Sequence, residues 1–333
     1  MKRIYLFFRR ISAVLIGMTL FLGGFLKIMD PVGTGLIVGE YYNFLHIPDI
    51  LPANAAGTAL SLLECIVGAA LMTGVWRRIT AIASGILLFF FTVITTILYI
   101  FNPAMDCGCF GEFIHLTHAQ SLVKNLILCV LWLLAFIPLR AVGDTKKIKY
   151  ATFCIAVISI AAFCVYSYRN LPLTDFTPLS AGTELNESDM PLYFNDASGN
   201  YCDSIASTGK VLVISSYDPG ELETAEVLPF ISEARNAGFR TIMLSSGGFI
   251  PDEDSYSADR RLLMTLNRSN GGVTFIDDGE IISKWPSSRL PDAEELEEVA
   301  EGDSNSLMMK YISSGKLKAQ GFLLYVFAVM LLL

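Results

Sequence analysis

Apolar residues come in long unbroken blocks over the first half of this chain and in short, spaced groups over the second. Five blocks, roughly Ile11–Ile28, Gly57–Val75, Thr80–Ile100, Ser121–Pro138 and Tyr150–Tyr166, each approach the ~20 residues that cross a hydrocarbon core. Each predicts a membrane-spanning helix. A last block, Ala319–Leu333, predicts a short sixth span or an incompletely inserted tail.

Between these blocks the pattern is that of an α/β domain. Residues 170–183 carry Pro172, Pro178 and Gly182 among polar residues and read as a linker. Met190–Asn195 predicts a short strand and Asp196–Gly199 a turn. Lys210–Tyr217, with its Val211-Leu212-Val213-Ile214 run, predicts a central strand. Glu223–Ala237 has helical spacing and stops at Gly238. Phe239–Ser245 predicts a strand and Arg260–Leu266 a helix. Gly272–Asp277 and Glu280–Trp285 flank Asp278-Gly279, a hairpin signal. The expected organisation is residues 1–140 as a helical bundle, 141–169 as a fifth span, 170–183 as linker, 184–312 as the α/β domain and 319–333 as an apolar segment.

Composition agrees with a membrane protein, at 53% hydrophobic residues. Charge adds direction. Residues 1–169 hold 13 Lys and Arg against 7 Asp and Glu, whereas residues 170–318 hold 11 against 25. The acidic second part argues against nucleic acid as a partner and against docking on anionic lipid. Ten basic residues, Lys2, Arg3, Arg9, Arg10, Arg77, Arg78, Arg140, Lys146, Lys147 and Lys149, fall on one side of the expected spans. Only Lys27, Lys124 and Arg169 fall on the other. The basic side is the cytoplasmic one. The N-terminus is then cytoplasmic, and residues 30–56, the loop around Cys107 and residues 170–318 lie outside, which is the periplasm in a two-membrane bacterium. The first block, with its basic start and no small-x-small cleavage site, reads as a retained anchor.

The cysteines then separate. Cys65, Cys129, Cys154 and Cys164 lie inside spans and read as small buried apolar side chains. Cys107, Cys109 and Cys202 face the oxidising side, an odd number, so at least one is free, pairs between molecules or exchanges partners. A Cys-Gly-Cys pair closes a disulfide only in a small strained ring, and strain favours exchange over stapling. Cys202 reads as a structural thiol or as a partner for Cys107 or Cys109.

Ionisable residues within spans are expensive and mark function or a structural pair. Lys27, Glu64, Lys124 and Asn125 all fall near the membrane depth of the cysteine loop. A Lys27–Glu64 pair satisfies both charges, and a nearby ammonium favours a thiolate. On this reading Cys107 attacks and Cys109 resolves. Cys107, Cys109, His115 and His118 also form a possible zinc set, although Cys-x-Cys is an awkward spacing for one tetrahedral ion. The residues call for no other cofactor.

Phe21–Pro31 resembles the first-span ending of DoxX-type membrane proteins, and Leu63–Gly68 resembles their second span. Asp106-Cys107-Gly108-Cys109-Phe110-Gly111, followed by Lys124-Asn125, is similar to the MauE branch of that group. The resemblance covers residues 9–140. It implies a compact four-helix membrane bundle and a redox-associated role; the MauE name comes from methylamine utilisation, where it is linked to disulfide formation in a dehydrogenase subunit. Nothing in these residues shows methylamine as a substrate. Residues 184–300 resemble a thioredoxin-like domain of the TlpA type. Such domains carry Cys-x-x-Cys where this chain has Asp218-Pro219-Gly220-Glu221, and a cis-proline where it has Gly271-Gly272. Two functions follow as expectations. One is thiol–disulfide exchange with a periplasmic protein client through Cys107 and Cys109. The other is a non-catalytic scaffold whose thioredoxin-like domain holds a periplasmic partner. A transporter is a distant third, because the spans lack broken-helix repeats.

Overall fold

The computed structural model describes residues 2–48, 51–138, 147–188, 190–221, 224–247 and 254–332. They form two compact units, one of residues 1–165 with 321–333 and one of residues 166–320. Arg140 and Lys146, used above for direction, lie outside the described residues.

The first unit is helical: α1 (Lys2–Met29), α2 (Pro31–Leu45), α3 (Ala53–Thr73), α4 (Arg77–Phe101), α5 (His118–Phe136) and α6 (Lys147–Arg169), with a short extended segment β1 (Cys109–Glu112) between α4 and α5. Among the described residues, five helices are long and apolar enough to span a membrane: α1, α3, α4, α5 and α6. Each starts ahead of its expected first residue, by nine residues in α1 and by three or four in the others. Their outer faces stay apolar, as Phe89, Ile86 and Ile100 on α4 show. A helix that is greasy outside as well as inside is solvated by lipid. α1 and α3 lie close together because glycine meets glycine: a Cβ on Gly68 would sit 2.7 Å from the Gly17 carbonyl oxygen.

α2 was not expected. It is a 15-residue helix too short to cross a membrane. Asp30 caps it by accepting from Gly33 N, and Pro31 opens it. α5 begins with a capping box between Thr117 and Gln120. The expected apolar run 319–333 is the end of a 29-residue helix, α10 (Ser304–Leu332). Its Phe322 stacks on Phe163 at 4.2 Å and on Phe25 at 5.7 Å.

The second unit holds a five-stranded sheet of order β4-β3-β2-β5-β6. The strands are β2 (Lys210–Ser216), β3 (Arg240–Ser245), β4 (Ser255–Ser257), β5 (Gly272–Asp277) and β6 (Glu280–Trp285). β2 is parallel to β3 and antiparallel to β5. Its Val211–Ile214 run is wholly buried because both faces of the sheet are covered, one by a core around Leu244, Leu263 and Phe194, the other by a core around Phe230, Phe275 and Leu296. Helices α7 (Thr224–Asn236), α8 (Arg260–Leu266) and α9 (Ala293–Glu301) complete it. The β5–β6 hairpin turns on Asp278 and Gly279, both at positive φ. This order is compatible with a thioredoxin-like domain.

Two expectations change here. Met190–Asn195 forms no strand; only Asn195 bridges, to Tyr201 and Ser257. Residues 170–183 are packed rather than a free linker: Leu171, Leu173 and Leu179 are buried. Asp175 also pairs with Lys284 of β6 at 2.6 Å.

Candidate functional site: a buried ion pair beside two thiols

Sequence far apart converges at one end of the bundle. α1 supplies Lys27, α3 Glu64, the α4–α5 loop Cys107 and Cys109, and α5 Ser121, Lys124 and Asn125. Lys27 Nζ lies 2.5 Å from Glu64 Oε1, and both side chains are buried. Such a pair is retained only when each charge compensates the other. Lys27 does not reach back to the interface as a lone charge would; its ammonium sits 5.5 Å from the Phe91 ring centroid.

The cysteine loop is held from three sides. Tyr41 of α2 donates to the Cys107 carbonyl at 2.8 Å, and Ser121 donates to Cys107 Sγ at 2.8 Å. Gly108 has φ +61, and a Cβ there would strike Ile37 at 2.6 Å, so glycine is required between the two thiols. Lys124 lies with Nζ 4.9 Å from the Phe110 ring centroid. Asn125 is buried and donates to Thr95 Oγ1 at 3.1 Å and to the Phe91 carbonyl at 3.2 Å, bracing α5 on α4. A cavity of about 470 Å³ is lined by Lys27, Glu64, Cys107, Cys109, Lys124 and Asn125 among others. All six sequence-derived site residues therefore meet around one space.

The two thiols differ. Cys107 is buried and Cys109 half-buried. The Cys107 thiol hydrogen-bonds the Cys109 sulfur, and this, followed by the Lys124 charge and hydrogen bond and the Lys27 charge, pulls the Cys109 pKa down to about 5 against the opposing effect of burial. The same hydrogen bond, with burial, pushes Cys107 up. The arrangement thus favours the thiolate at Cys109 and the proton at Cys107, whereas the sequence led to Cys107 as the expected attacking thiol.

The histidines go elsewhere. His115 Nδ1 is 3.1 Å from Asp106 Oδ2, and His118 places its ring nitrogens 3.0 Å from Asn102 Oδ1 and the Met105 carbonyl. Among the described residues no group of three or more His, Cys, Asp or Glu is arranged to hold a metal ion. Cys65 and Cys164 are buried as expected, Cys129 is half-buried, and Cys154 is exposed on the outer face of α6. Cys202 is half-buried against the sheet core and, like the other six cysteines, is not in a disulfide. Sequence reasoning missed Ser121 and Tyr41. The Thr117–Gln120 capping box fixes the start of α5 and hence the face on which Ser121 lies; nothing local marks Tyr41.

In the second unit, the turn after β2 is closed differently from a dithiol site. Asn270 accepts from Asp218 N at 3.0 Å and donates to the Asp218 carbonyl at 2.8 Å. No thiol stands there.

Fold and site together define a multi-pass helical membrane protein with two neighbouring cysteines beside a buried ion pair, followed by a mixed α/β domain. Residues 4–138 match the family model described as Methylamine utilisation protein MauE. No curated protein and no solved structure matches the chain.

Proposed function

We propose that this MauE-like membrane protein carries out thiol–disulfide exchange through Cys107 and Cys109 at the periplasmic face of a bacterial inner membrane. The observation that carries the reading is the Cys109 sulfur, set between the Cys107 thiol and Lys124 at the edge of a membrane cavity. In the reducing direction the Cys109 thiolate attacks a client disulfide and releases one client thiolate. Cys107 then gives up its proton and attacks Cys109 Sγ. The chain gains a Cys107–Cys109 disulfide and the client leaves as a dithiol. The reverse sequence oxidises a client dithiol, and the strain of so small a ring favours that direction. Glu64 holds Lys27 in place, so that the ammonium reaches the thiolate without being lost to solvent.

The orientation belongs to the same proposal. Arg9 and Arg10 lie about 25 Å from Lys27 along α1, at 1.5 Å per residue. The basic side and the thiol side are therefore opposite ends of the bundle.

The test is trapping in cells. Cys107→Ser should accumulate a mixed disulfide on Cys109, visible as a reducible adduct on a gel. Cys109→Ser should accumulate far less. Wild-type thiols that stay reduced under every growth condition, with no adduct in Cys107→Ser, would sink the proposal. The scaffold reading would then take its place, favoured by the thiol-free, Asn270-clamped turn of the α/β unit.

A further inference from the structure

The end of the bundle opposite the thiols holds a second cavity, of about 400 Å³, with Arg9, Arg10 and Arg77 in its wall. Most of their bonds are to main chain. Arg9 Nε donates to the Ala135 carbonyl at 2.8 Å and its Nη2 to the Pro138 carbonyl at 3.3 Å. Arg10 donates to the Leu71 carbonyl at 2.9 Å and to the Met72 carbonyl. Arg77 Nε donates to the Gly74 carbonyl at 3.4 Å. Cations at the carbonyl ends of α3 and α5 are favourable, which explains part of the arrangement.

It does not explain all of it. A guanidinium has five N–H donors. Arg9 is 7% exposed, and its Nη1 is buried with no hydrogen-bond partner. Among the described residues no carboxylate pairs with any of the three arginines. Gly74, at φ +76, keeps the space open: a Cβ there would lie 2.9 Å from Arg10 Nη1 and 3.6 Å from Arg77 Nε. Three guanidinium groups thus converge on one cavity, one with a donor nitrogen that nothing among the described residues satisfies. Buried donors left unsatisfied are costly, and an uncompensated charge more so.

We propose that this cavity binds a phosphate group, with Arg9 Nη1 as its innermost donor and Arg10 and Arg77 as flanking charges. Phosphate suits the donors because guanidinium forks bond its oxygens in pairs. The group could arrive on a lipid headgroup from the adjoining leaflet or as a free anion from solution.

The test uses the full chain purified in detergent and exhaustively delipidated, then titrated with phosphatidylglycerol, phosphatidylcholine or inorganic phosphate. Retained ligand is read by native mass spectrometry and the unfolding midpoint by thermal melting. Saturable binding that raises the midpoint is expected. Phosphatidylglycerol acting alone assigns the headgroup as the source, and inorganic phosphate acting equally well assigns the free anion. Arg77→Gln, which gives up only one main-chain bond, should weaken binding about tenfold, the value of one charge-assisted hydrogen bond. Arg9→Gln should weaken it at least as much. Should Arg9→Gln fail to fold, Arg77→Gln and the wild-type titration still decide. Binding by none of the three probes, or equal binding by wild type and Arg77→Gln, overturns the proposal.

Discussion

Each unit contains a buried Lys–carboxylate pair, and the two pairs differ in what surrounds them. Lys27 and Glu64, 2.5 Å apart, line a cavity shared with two thiols. Lys284 and Asp175, 2.6 Å apart, bond Thr177 and tie the 170–183 segment to β6. The separations are alike and both pairs are nearly inaccessible. Burial of an ion pair is therefore no mark of chemistry by itself. The neighbours decide: a cavity and a thiolate beside one pair, a folded segment beside the other.

The strongest way to break this comparison is to remove the thiols from the first site. Full-length Cys107→Ser/Cys109→Ser should lose all exchange with a disulfide substrate in a thiol-trapping assay. Residual turnover would move the chemistry to the α/β unit, with Cys202 the first suspect. Next in size are the two half-pairs. Glu64→Gln and Asp175→Asn each remove the countercharge of a buried ammonium and should each destabilise by about 3–5 kcal/mol in denaturant unfolding. Only Glu64→Gln should also change the alkylation rate of Cys109. A matching change in Asp175→Asn would erase the distinction drawn here.

A pH profile sharpens it further. With the Cys109 pKa near 5, the thiolate predominates above that pH. Iodoacetamide labelling of Cys109 should then be nearly flat from pH 6 upward and fall as pH drops through 5. Lys124→Met removes a favourable charge and should move that fall toward the ordinary thiol value of about 8.5. A wild-type midpoint already near 8.5 would contradict the electrostatics of the site. The smallest effect belongs to a cap in the α/β unit. Asp292 accepts from Glu295 N at 2.9 Å at the start of α9. Asp292→Ala should cost about 1 kcal/mol of unfolding free energy and leave the Cys109 labelling profile unmoved.

The five spans were legible because hydrophobic runs of that length have few alternatives. The β5–β6 hairpin was legible to the residue, since Asp-Gly supplies the two positive φ angles that the turn demands. α2 left a signal, Asp30 before Pro31, but its apolar surface is not confined to one stripe and it follows α1 directly. Lys27, Glu64, Cys107, Cys109, Lys124 and Asn125 could be gathered from depth alone. The order of the two thiols could not. It depends on Lys124 and the Cys107 proton, which meet only after α5 has packed and which outweigh the Ser121 hydrogen bond to Cys107. Arg9 and Arg10 likewise read as plain positive charges in the sequence, whereas their bonds go to the carbonyl ends of helices more than sixty residues away.

The packed 170–183 segment bears on how this protein can be cut and rejoined. A chimera builder guided by its prolines would treat it as interchangeable cord and splice the α/β unit out at residue 184. That junction would discard Asp175, Leu173 and Leu179 and leave Lys284 facing a hole in the fragment. The natural seam lies upstream, at the end of α6 at Arg169, close to where the compact unit begins at Tyr166. A graft made there should carry its own keel.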